Sequence, residues 1–380
     1  MKIGVVTGTR ADYGLLRPVL TELRADDTFE LQLIATGTHL APEFGTTVNA
    51  IEADGFVVTD RVEMLLASDT PVGVTTSLGL ATLGLAASYD RLRPDLLMVL
   101  GDRYEILAAA QAALVAGIPV AHLCGGDITE GAIDDAIRHA ITKLSHLHFV
   151  TNPDAARRVR QMGENPSHVV VAGNPSLDEL ARLQPMSRGD LQAALGLELR
   201  DRNVLVTYHP ATLADEPPAV SFEELLAALD ALGPDVGVVL TLPNADTWGR
   251  VLIGMTRDYA RTRDHVVAHD SLGQVRYGSC LKTFDAVVGN SSSGLMEAPA
   301  VGTPAVNIGE RQRGRLRARS TIDCTAERHA IESAIRQALA WRDVPADSPY
   351  GDGHAAERIM AMLRTVEDPR ALLDKHFHHH

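Results

Sequence analysis

The sequence predicts an α/β protein with two doubly wound, Rossmann-like domains. Short apolar runs alternate with longer helical patterns along the 380 residues. The runs are continuously apolar, as expected of parallel strands that helices cover on both faces. The alternation pauses between residues 173 and 196, where two prolines occur, and then starts again. Aromatic residues make up only 4% of the chain. Aliphatic side chains must therefore build the core, which also favours an α/β fold.

In the first half, six apolar runs are predicted as strands and four segments as helices. The predicted strands are Ile3–Thr7, Leu31–Ala35, Leu96–Leu100, Val120–Leu123, His148–Val150 and Val169–Ala172. The predicted helices are Leu15–Leu23, Leu78–Leu92, Ile106–Val115 and Ala136–Leu144. Together they define an N-terminal domain over residues 1–172.

The second half repeats this alternation over residues 173–353 and ends in a helical tail. The predicted strands are Val204–Tyr208, Val236–Leu240, Val266–Ala268, Ala286–Val288 and Ala305–Ile308. The predicted helices are Phe222–Leu232, Asp246–Tyr259, Leu272–Leu281 and the tail His354–Leu373. We expect the tail, within about residues 354–375, to pack back on the first domain. Ligands of doubly wound sheets lie outside the carboxyl ends of the strands, so we predict an active site in the cleft between the domains.

Composition excludes several classes of protein. The formal net charge is −14, which disfavours nucleic acid as a partner. The three cysteines form no Cys-x-x-Cys pair, which indicates a reducing cytoplasm rather than a disulfide framework. No uninterrupted apolar run predicts a membrane span, and no paired histidine motif predicts a metal site. Because the segment Lys375–His380 resembles a purification tag, its histidines are set aside from the site.

The first candidate loop, Thr7–Gly14, joins a predicted strand to a predicted helix. It is neither a Gly-x-Gly-x-x-Gly nor a Walker A sequence, which argues against NAD and against ATP hydrolysis. Gly8 permits a tight turn, and Arg10 lies where a guanidinium suits a phosphate oxygen. A solvated arginine at a helix start explains this segment equally well.

Two further segments of the first half place charges at strand ends. Asp102 and Arg103 follow an apolar strand, although Asp102 also fits a helix cap. The segment from His122 to His139 runs through a glycine-rich loop into a helix and carries four carboxylates within nine residues. Proton donors and acceptors are predicted among Asp127, Glu130 and Asp134. Asp134 and Arg138 share one helix face, for which a surface salt bridge is the simpler explanation.

In the second half, polar residues again follow strands. His209 lies at the predicted cleft, although a single histidine is more often structural than catalytic. Asn244 and His269 are predicted to bind a base, a ribose or a sugar hydroxyl.

The strongest phosphate signal is Gly289–Glu297, which joins a strand to a helix and includes Ser291, Ser292, Ser293 and Gly294. Free N–H groups and hydroxyls at a helix N-terminus form an anion site, whereas a simple helix cap needs only one serine. Downstream, five arginines alternate from Arg311 to Arg319, of which we expect one or two to bind a ligand.

Taken together, these motifs resemble one enzyme family over residues 1 to about 330. The motifs are Gly8-Thr9-Arg10, Gly101-Asp102-Arg103, Ile133–Lys143, His209-Pro210, Gly289–Gly294 and Gly302-Thr303-Pro304. The chain resembles the hydrolysing UDP-N-acetylglucosamine 2-epimerases of the sialic-acid and legionaminic-acid type. The resemblance implies the GT-B fold, a cytoplasmic enzyme without a cofactor or metal, and a homodimer or homotetramer. The implied reaction converts UDP-GlcNAc and water into UDP and N-acetylmannosamine through a 2-acetamidoglucal.

The resemblance also implies roles for individual residues. Asp102 and Asp134 match the catalytic carboxylates, and Arg138 and His209 match further active-site residues. The positions implied to bind the nucleotide-sugar are Arg10, His39, Arg103, Asn244, His269, Ser291, Ser292, Ser293, Gly294, Glu297 and Arg311. Many relatives carry a glutamate where Cys124 stands here. Asp127 or Glu130 is therefore expected to supply that carboxylate.

Four other functions fit parts of the pattern. The same reaction on UDP-2,4-diacetamido-2,4,6-trideoxyglucose is credible because of the altered segment around Cys124. A non-hydrolysing epimerase would return UDP-ManNAc, and the Asp-Asp-Ala-Ile-Arg-His form of the helix disfavours it. The carboxylates at the strand ends disfavour both a GT-B glycosyltransferase and a non-catalytic nucleotide-sugar sensor.

Overall fold

A computed structural model describes residues 1–68, 70–129, 133–209, 218–242 and 249–379. The chain divides into two compact units, one of Met1–Asp178 with Gly353–His380 and one of Glu179–Asp352. Each unit contains a parallel sheet covered by helices, which confirms the predicted fold class. The division after Asp178 lies a few residues beyond the predicted boundary at 172, and the C-terminal segment belongs to the first unit.

The described part of the first unit contains a seven-stranded sheet. Its strands are β1 (Lys2–Thr7), β2 (Glu30–Thr36), β3 (Val58–Val62), β4 (Leu96–Leu100), β5 (Val120–Leu123), β6 (Leu147–Val150) and β7 (Val169–Val171). Their order is β3-β2-β1-β4-β5-β6-β7, and all neighbours are parallel. From β1 the strand order runs outward to β2 and β3 on one side, and from β4 it runs outward to β7 on the other. The loops after β1 and β4 therefore lie at the topological switch point of the sheet.

Helices cover both faces of this sheet. They are α1 (Arg10–Ala25), α2 (Val48–Ala53), α3 (Pro71–Leu92), α4 (Tyr104–Ala116), α5 (Ile133–Leu144), α6 (Pro153–Gln161) and α7 (Ser176–Arg182), the last of which crosses the division between the units. Ile3 and Val5 point into a core cluster with α1, whereas Val6 and Leu97 point into one with α3 and α4. The period of two along each strand thus feeds two separate apolar layers.

The second unit repeats the arrangement with six strands among its described residues. They are β8 (Arg202–Thr207), β9 (Val236–Thr241), β10 (Val266–His269), β11 (Ala286–Gly289), β12 (Ala305–Ile308) and β13 (Thr321–Cys324). Their order is β10-β9-β8-β11-β12-β13, again all parallel. The covering helices are α8 (Arg188–Leu195), α9 (Pro218–Leu232), α10 (Gly249–Arg261), α11 (Gly273–Thr283), α12 (Ser293–Ala300) and α13 (Arg328–Ala340). The switch point here lies between β8 and β11.

The tail returns to the first unit as a helix shorter than predicted. Helix α14 (Ala355–Leu363) ends well before Pro369, and a 3-10 turn covers Pro369–Leu373. The expectation of one helix over His354–Leu373 was therefore wrong, and Pro369, which has no backbone N–H to donate, begins a separate 3-10 turn. Ile359 and Met360 pack with α1 in the first core cluster. The carboxylate of Asp178 accepts from the amides of Ala355 and Ala356 at 2.9 and 2.7 Å and caps α14.

Helix α3 is long and apolar enough to cross a membrane, judged by length and composition alone, and 33% of its apolar window is buried. Its inner face, including Leu85 and Tyr89, lies in the core cluster with α4. A helix in a protein core needs the same apolar composition, so packing accounts for this face of α3.

Candidate functional site

Arg138 joins three segments at the carboxyl edge of the first sheet. It projects from α5 and is 5% exposed. Its Nη2 donates to a carboxylate oxygen of Asp102 and, at 2.9 Å, to Thr129 Oγ1. Its Nη1 donates to the carbonyl of Asp127 at 2.8 Å. The guanidinium therefore holds the loop after β4, the glycine-rich loop after β5 and α5 in one arrangement.

Asp134 begins the same helix one turn before Arg138. Its side chain is half-buried, and no described residue donates a hydrogen bond to its carboxylate. The neighbouring Asp135 accepts from the amide of Thr129 at 2.8 Å. Of these two adjacent acids, Asp135 is thus engaged in holding the loop, whereas no described residue engages the carboxylate of Asp134 in this way. Glu130, the other predicted acid of this segment, lies outside the described residues.

Asp127 serves the loop itself. Its two carboxylate oxygens lie 3.0 and 2.9 Å from the hydroxyl of Thr151, and Asn152 Nδ2 donates to it at 2.9 Å. Both partners follow β6, so Asp127 ties the glycine-rich loop to the next strand end. This position favours a supporting role over the proton transfer that the sequence suggested.

Cys124 directly follows β5 and lies in the left-handed region, with a φ of 63°. Burial, followed by the nearby charges of Asp127 and Asp102, raises the pKa of its thiol above its usual range. The side chain of Cys124 is thus a neutral thiol and cannot act as a base.

His122, on β5, supports this cluster through buried contacts. The sequence did not indicate this supporting role. The ring is fully buried, and burial lowers its pKa to about 3. The neutral ring donates from Nε2 to the carbonyl of Gly101 at 2.8 Å, and its Nδ1 lies 3.3 Å from the hydroxyl of Thr142 in α5. His122 therefore connects the residue before Asp102 with the helix that carries Arg138.

The loop after β1 carries Arg10, exposed at the first position of α1, and Thr9 caps that helix by accepting from Asp12 N at 3.2 Å. His39 was expected to contact the substrate. Instead it is fully buried, with its nitrogens 2.9 Å from Thr7 Oγ1 and 2.8 Å from Thr47 Oγ1. Burial lowers its pKa to about 4, and its position makes it a support of β1.

A pair of buried carboxyl groups lies beside this loop and was missed in the sequence. Arg103 Nε donates to Glu105 at 2.6 Å, and Glu105 is 1% exposed. Burial, and next the charge of Glu105, raise the pKa of Asp12 to about 6. Gly8 is required there, because a Cβ would come within 2.7 Å of the Glu105 side chain. Asp12 follows β1 and Glu105 follows β4, so the pair of carboxyl groups becomes visible only once these two strands are known to be neighbours.

In the second unit, Asn290 binds the ends of β8 and β11 together. Its Oδ1 accepts from the amide of His209 at 2.7 Å, and its Nδ2 donates to the carbonyl of His209 at 2.8 Å. Gly289 has a φ of 136°, and a Cβ there would overlap the carbonyl oxygen of Thr207. His209 is therefore held beside the serine loop, as expected from two strand ends at one switch point.

The serine loop forms the N-terminus of α12. Ser291 and Ser292 are half-buried, and Ser292 occupies the N-cap position. A small cavity at this point is lined by Thr207, Val287, Val288, Gly289, Ser291, Gly294, Val306 and Asn307. Ser293 instead is buried and accepts from the hydroxyl of Tyr277 at 2.8 Å, which anchors the helix start. The arrangement has the features of an anion site.

Arg311 is the arginine that reaches this loop. It donates from Nη1 to the carbonyl of Asn290 at 2.9 Å, and Gln312 donates to the same oxygen at 2.8 Å. Arg317 instead binds Asp323 at 3.0 Å. This division follows the expectation that the alternating arginines do not all serve one ligand.

Three predicted positions of the second half remain, and the structure describes two of them. Glu297 is half-buried on α12, one turn beyond the serines. His269 ends β10, and its Nε2 lies 3.0 Å from the carbonyl of Leu195. Asn244 lies outside the described residues.

Comparison with known proteins assigns the family. The family model described as UDP-N-acetylglucosamine 2-epimerase matches residues 21–364.

The chain belongs to this family.

Two similar proteins share its length. A Campylobacter jejuni protein named GDP/UDP-N,N'-diacetylbacillosamine 2-epimerase (hydrolyzing) is 40% identical over 323 residues, which cover 85% of this chain and 84% of the relative. A Legionella pneumophila protein named UDP-N,N'-diacetylbacillosamine 2-epimerase (hydrolyzing) is 35% identical over 375 residues, 98% of either chain.

A solved structure supports the fold of the family. The UDP-GlcNAc 2-epimerase of Neisseria meningitidis, bound to UDP-GlcNAc, superimposes with a TM-score of 0.79 at 18% identity, over 96% of this chain and 100% of that one. This likeness confirms the fold that the sequence resemblance implied.

Proposed function

We propose that this chain is a hydrolysing 2-epimerase of UDP-N,N'-diacetylbacillosamine, which is UDP-2,4-diacetamido-2,4,6-trideoxyglucose. The products are UDP and 2,4-diacetamido-2,4,6-trideoxymannose. The observation that carries the choice of sugar is the pair of relatives at 40% and 35% identity that are named for this substrate. The sequence motifs ranked UDP-GlcNAc first, and the relatives move this diacetamido sugar ahead of it.

The proposed reaction has two stages. A carboxylate removes the C2 proton while the bond from C1 to the UDP oxygen breaks, and a double bond forms between C1 and C2. Water then adds its hydroxyl group to C1, and a proton returns to C2 on the opposite face. The first stage needs a base and a stabilised leaving group, because no carbonyl group acidifies the C2 hydrogen.

Asp102 and Asp134 are the proposed proton-transfer groups. Asp134 lies in the first turn of α5, and Arg138 donates to the carboxylate of Asp102 and so orients it. His122 and Asp127 are assigned to support, since their polar atoms bond to the surrounding loops and helix. Two carboxyl groups in different surroundings suit a reaction that takes a proton from one face and returns it to the other.

We assign the binding of the departing diphosphate to the N-termini of two helices and to guanidinium groups. Arg10 and the loop of Ser291 and Ser292 are the proposed contacts, with Arg311 beside that loop. Donors fixed before the reaction stabilise charge that develops on the leaving oxygen, typically by several kcal/mol each. His209, Asn244, His269 and Glu297 complete the proposed nucleotide-sugar set.

The test compares both sugars in deuterated water by proton NMR with quantification of free UDP. We expect stoichiometric UDP, deuterium at C2 of the released sugar, and a kcat/KM at least about tenfold higher for the diacetamido sugar. Return of an inverted UDP-sugar without free UDP would instead identify a non-hydrolysing epimerase. Release of UDP only when an acceptor is present would identify a glycosyltransferase. GDP- and UDP-linked forms of the sugar are compared in parallel, because the Campylobacter relative is named for both.

UDP-GlcNAc is the second candidate substrate. The description of the matching family model and the ordered motifs favour it. A kcat/KM for UDP-GlcNAc equal to or above that for the diacetamido sugar would make it the substrate.

The cellular setting is also proposed from composition. The net charge of −14 and the free cysteines Cys124, Cys280 and Cys324 suit a cytoplasmic enzyme that binds a UDP-sugar and neither nucleic acid nor a membrane. A homodimer or homotetramer is expected, and light scattering on the purified chain measures it.

A further inference from the structure

The segment after the last 3-10 turn contacts the end of α5. The ammonium group of Lys375 donates to the carbonyls of Lys143 and Ser145 at 2.8 and 2.6 Å. These carbonyls lie where α5 ends, so no later turn of the helix supplies them with a donor. A cation at this position also interacts favourably with the helix dipole. The sequence had set this segment aside because of its histidines.

The same ammonium reaches a buried carboxylate. Glu164, 1% exposed, lies 2.7 Å from Lys375 through Oε2 and 2.5 Å from Lys143 through Oε1. His148 Nε2 lies 3.0 Å from Oε2. Burial by itself would raise the pKa of Glu164, but hydrogen bonds from His148, Lys143 and Lys375 lower it to about 2. Lys375 thus completes a charged cluster at the C-terminal turn of α5.

The aromatic ring of Phe377 secures this contact. Gly163 has a φ of 82°, and a Cβ there would overlap the Phe377 ring. The amide of His378 donates to the carbonyl of Gly163 at 3.0 Å. Lys143 Nζ lies 5.4 Å from the centre of the Phe377 ring, within the range of a cation–π contact. The segment Lys375–His378 therefore contacts α5 and the Gly163 region through an aromatic ring, a backbone hydrogen bond and an ammonium group.

We propose that Lys375–His378 is a positioning segment for the active-site helix α5. Toward the other end of this helix, Asp134 lies in the first turn and Arg138 binds Asp102. A helix of 12 residues moves largely as a rod, so fixing its C-terminal turn restricts where Asp134 and Arg138 lie. Small displacements of groups that take part in proton transfer cost large factors in rate.

Hydrogen exchange tests the structural part without reference to any substrate. Lys375→Met removes the ammonium group and keeps the apolar stem. We expect exchange of the amides in α5 to rise about tenfold or more, while exchange in α11 and α12 is unchanged. Lys375→Arg keeps a cation and should restore protection. If Lys375→Met does not fold, Phe377→Ala replaces it in the same measurement.

Lys282→Met is the matched control in the second unit. Its ammonium group donates to the carbonyl of Leu183 at 2.6 Å, just beyond α7. The control variant loses a similar contact, and exchange in α5 should stay at the level of the unchanged protein.

The kinetic part rests on the proposed function. Lys375→Met should lower kcat about tenfold, with KM changed less than about threefold, because the proposed nucleotide contacts of the second unit stay intact. Unchanged exchange in α5, or faster exchange with an unchanged kcat, would overturn the positioning role. If the unchanged protein turned over neither UDP-sugar, the proposed function would fall, and the exchange measurement would still decide whether the segment holds α5.

Discussion

The two clusters assigned to the site are built from different chemistry. In the first unit, the buried guanidinium of Arg138 gathers a carboxylate, a carbonyl and a hydroxyl from three segments. In the second unit, glycine and serine backbone and the amide of Asn290 shape the loop, and Arg311 lies at its exposed edge. Neutral groups at a helix start suit a ligand that brings its own negative charge, whereas paired charges suit proton transfer.

The comparison teaches why the two clusters tolerate different changes. A buried ion pair that loses one partner leaves an uncompensated charge, so the first cluster is sensitive to changes of charge. A loop shaped by backbone geometry is sensitive to any added Cβ, even when charge is unaltered. Substitutions in the two clusters should therefore differ in whether they affect charge or backbone geometry.

Asp102→Asn should abolish most of the turnover. The amide keeps the shape of the side chain but cannot take a proton, so kcat should fall about 10²- to 10⁴-fold with little change in the Kd for UDP. Release of UDP and isothermal titration measure the two quantities. Asp95→Asn is the control at the opposite end of β4, where the carboxylate accepts from Lys2 N at 2.7 Å. Wild-type turnover in Asp102→Asn would remove Asp102 from the mechanism.

Gly289→Ala should destabilise the second unit without any change of charge. The backbone has a φ of 136°, and the added Cβ overlaps the Thr207 carbonyl. Strain and overlap together should lower the free energy of unfolding by roughly 3–5 kcal/mol. Denaturant unfolding measures it. Gly254→Ala should be neutral or slightly stabilising, because among the described residues no atom outside the backbone of α10 lies within 4 Å of the added Cβ. Equal effects of the two variants would contradict the role of backbone geometry.

Asp12→Asn should change how the stability of the first unit depends on pH. Burial and Glu105 raise the pKa of Asp12 from 3.8 to about 6. Because the folded state holds this proton more tightly than the unfolded state, its contribution to stability is fully present below pH 3.8. It is lost as the pH rises through about 6. The loss corresponds to roughly 2 kcal/mol between pH 4 and 7.

The measurement for Asp12 is the free energy of unfolding at several pH values. Asp12→Asn carries no titrating proton, so the difference in stability between variant and unchanged protein should grow in favour of the variant as the pH rises. A constant difference from pH 4 to 7 would mean that Asp12 does not hold the proton.

Arg311→Gln should weaken binding of UDP about tenfold and leave the fold intact. Its guanidinium lies at the serine loop, where loss of a charge-assisted contact to a phosphate is expected to affect Kd rather than stability. Arg319→Gln is the control, since this exposed arginine belongs to the same alternating series. Its Kd should change less than about twofold. Similar effects of both variants would indicate a diffuse electrostatic attraction instead of a specific contact.

Sequence patterns located central strands of the two sheets well but missed two edge strands. β4, β5 and β12 have the predicted bounds because each is a fully buried, mostly apolar run. β3 and β13 were missed, since β3 has the polar sequence VTDRV and β13 has the short, partly exposed sequence TIDC. Edge strands bury less of each residue, so hydrophobic periodicity is weak there.

Supporting residues were harder to identify than the predicted site residues. Nothing in the local sequence of His39 distinguishes a buried structural histidine from one that binds a ligand. The pairing of Asp12 with Glu105, and of Asn290 with His209, likewise follows only from which strands are neighbours.

Local sequence patterns were enough to identify the fold class, the positions of most strands and the loops that are predicted to carry the chemistry. These features depend on local periodicity, on glycine in turns and on polar residues that follow apolar runs. Which side chains contact one another followed only from the tertiary structure. Arg138 meets Asp102 across 36 positions, and Lys375 meets Lys143 across 232. Such contacts depend on the order of the strands and the return of the chain, which local patterns do not encode.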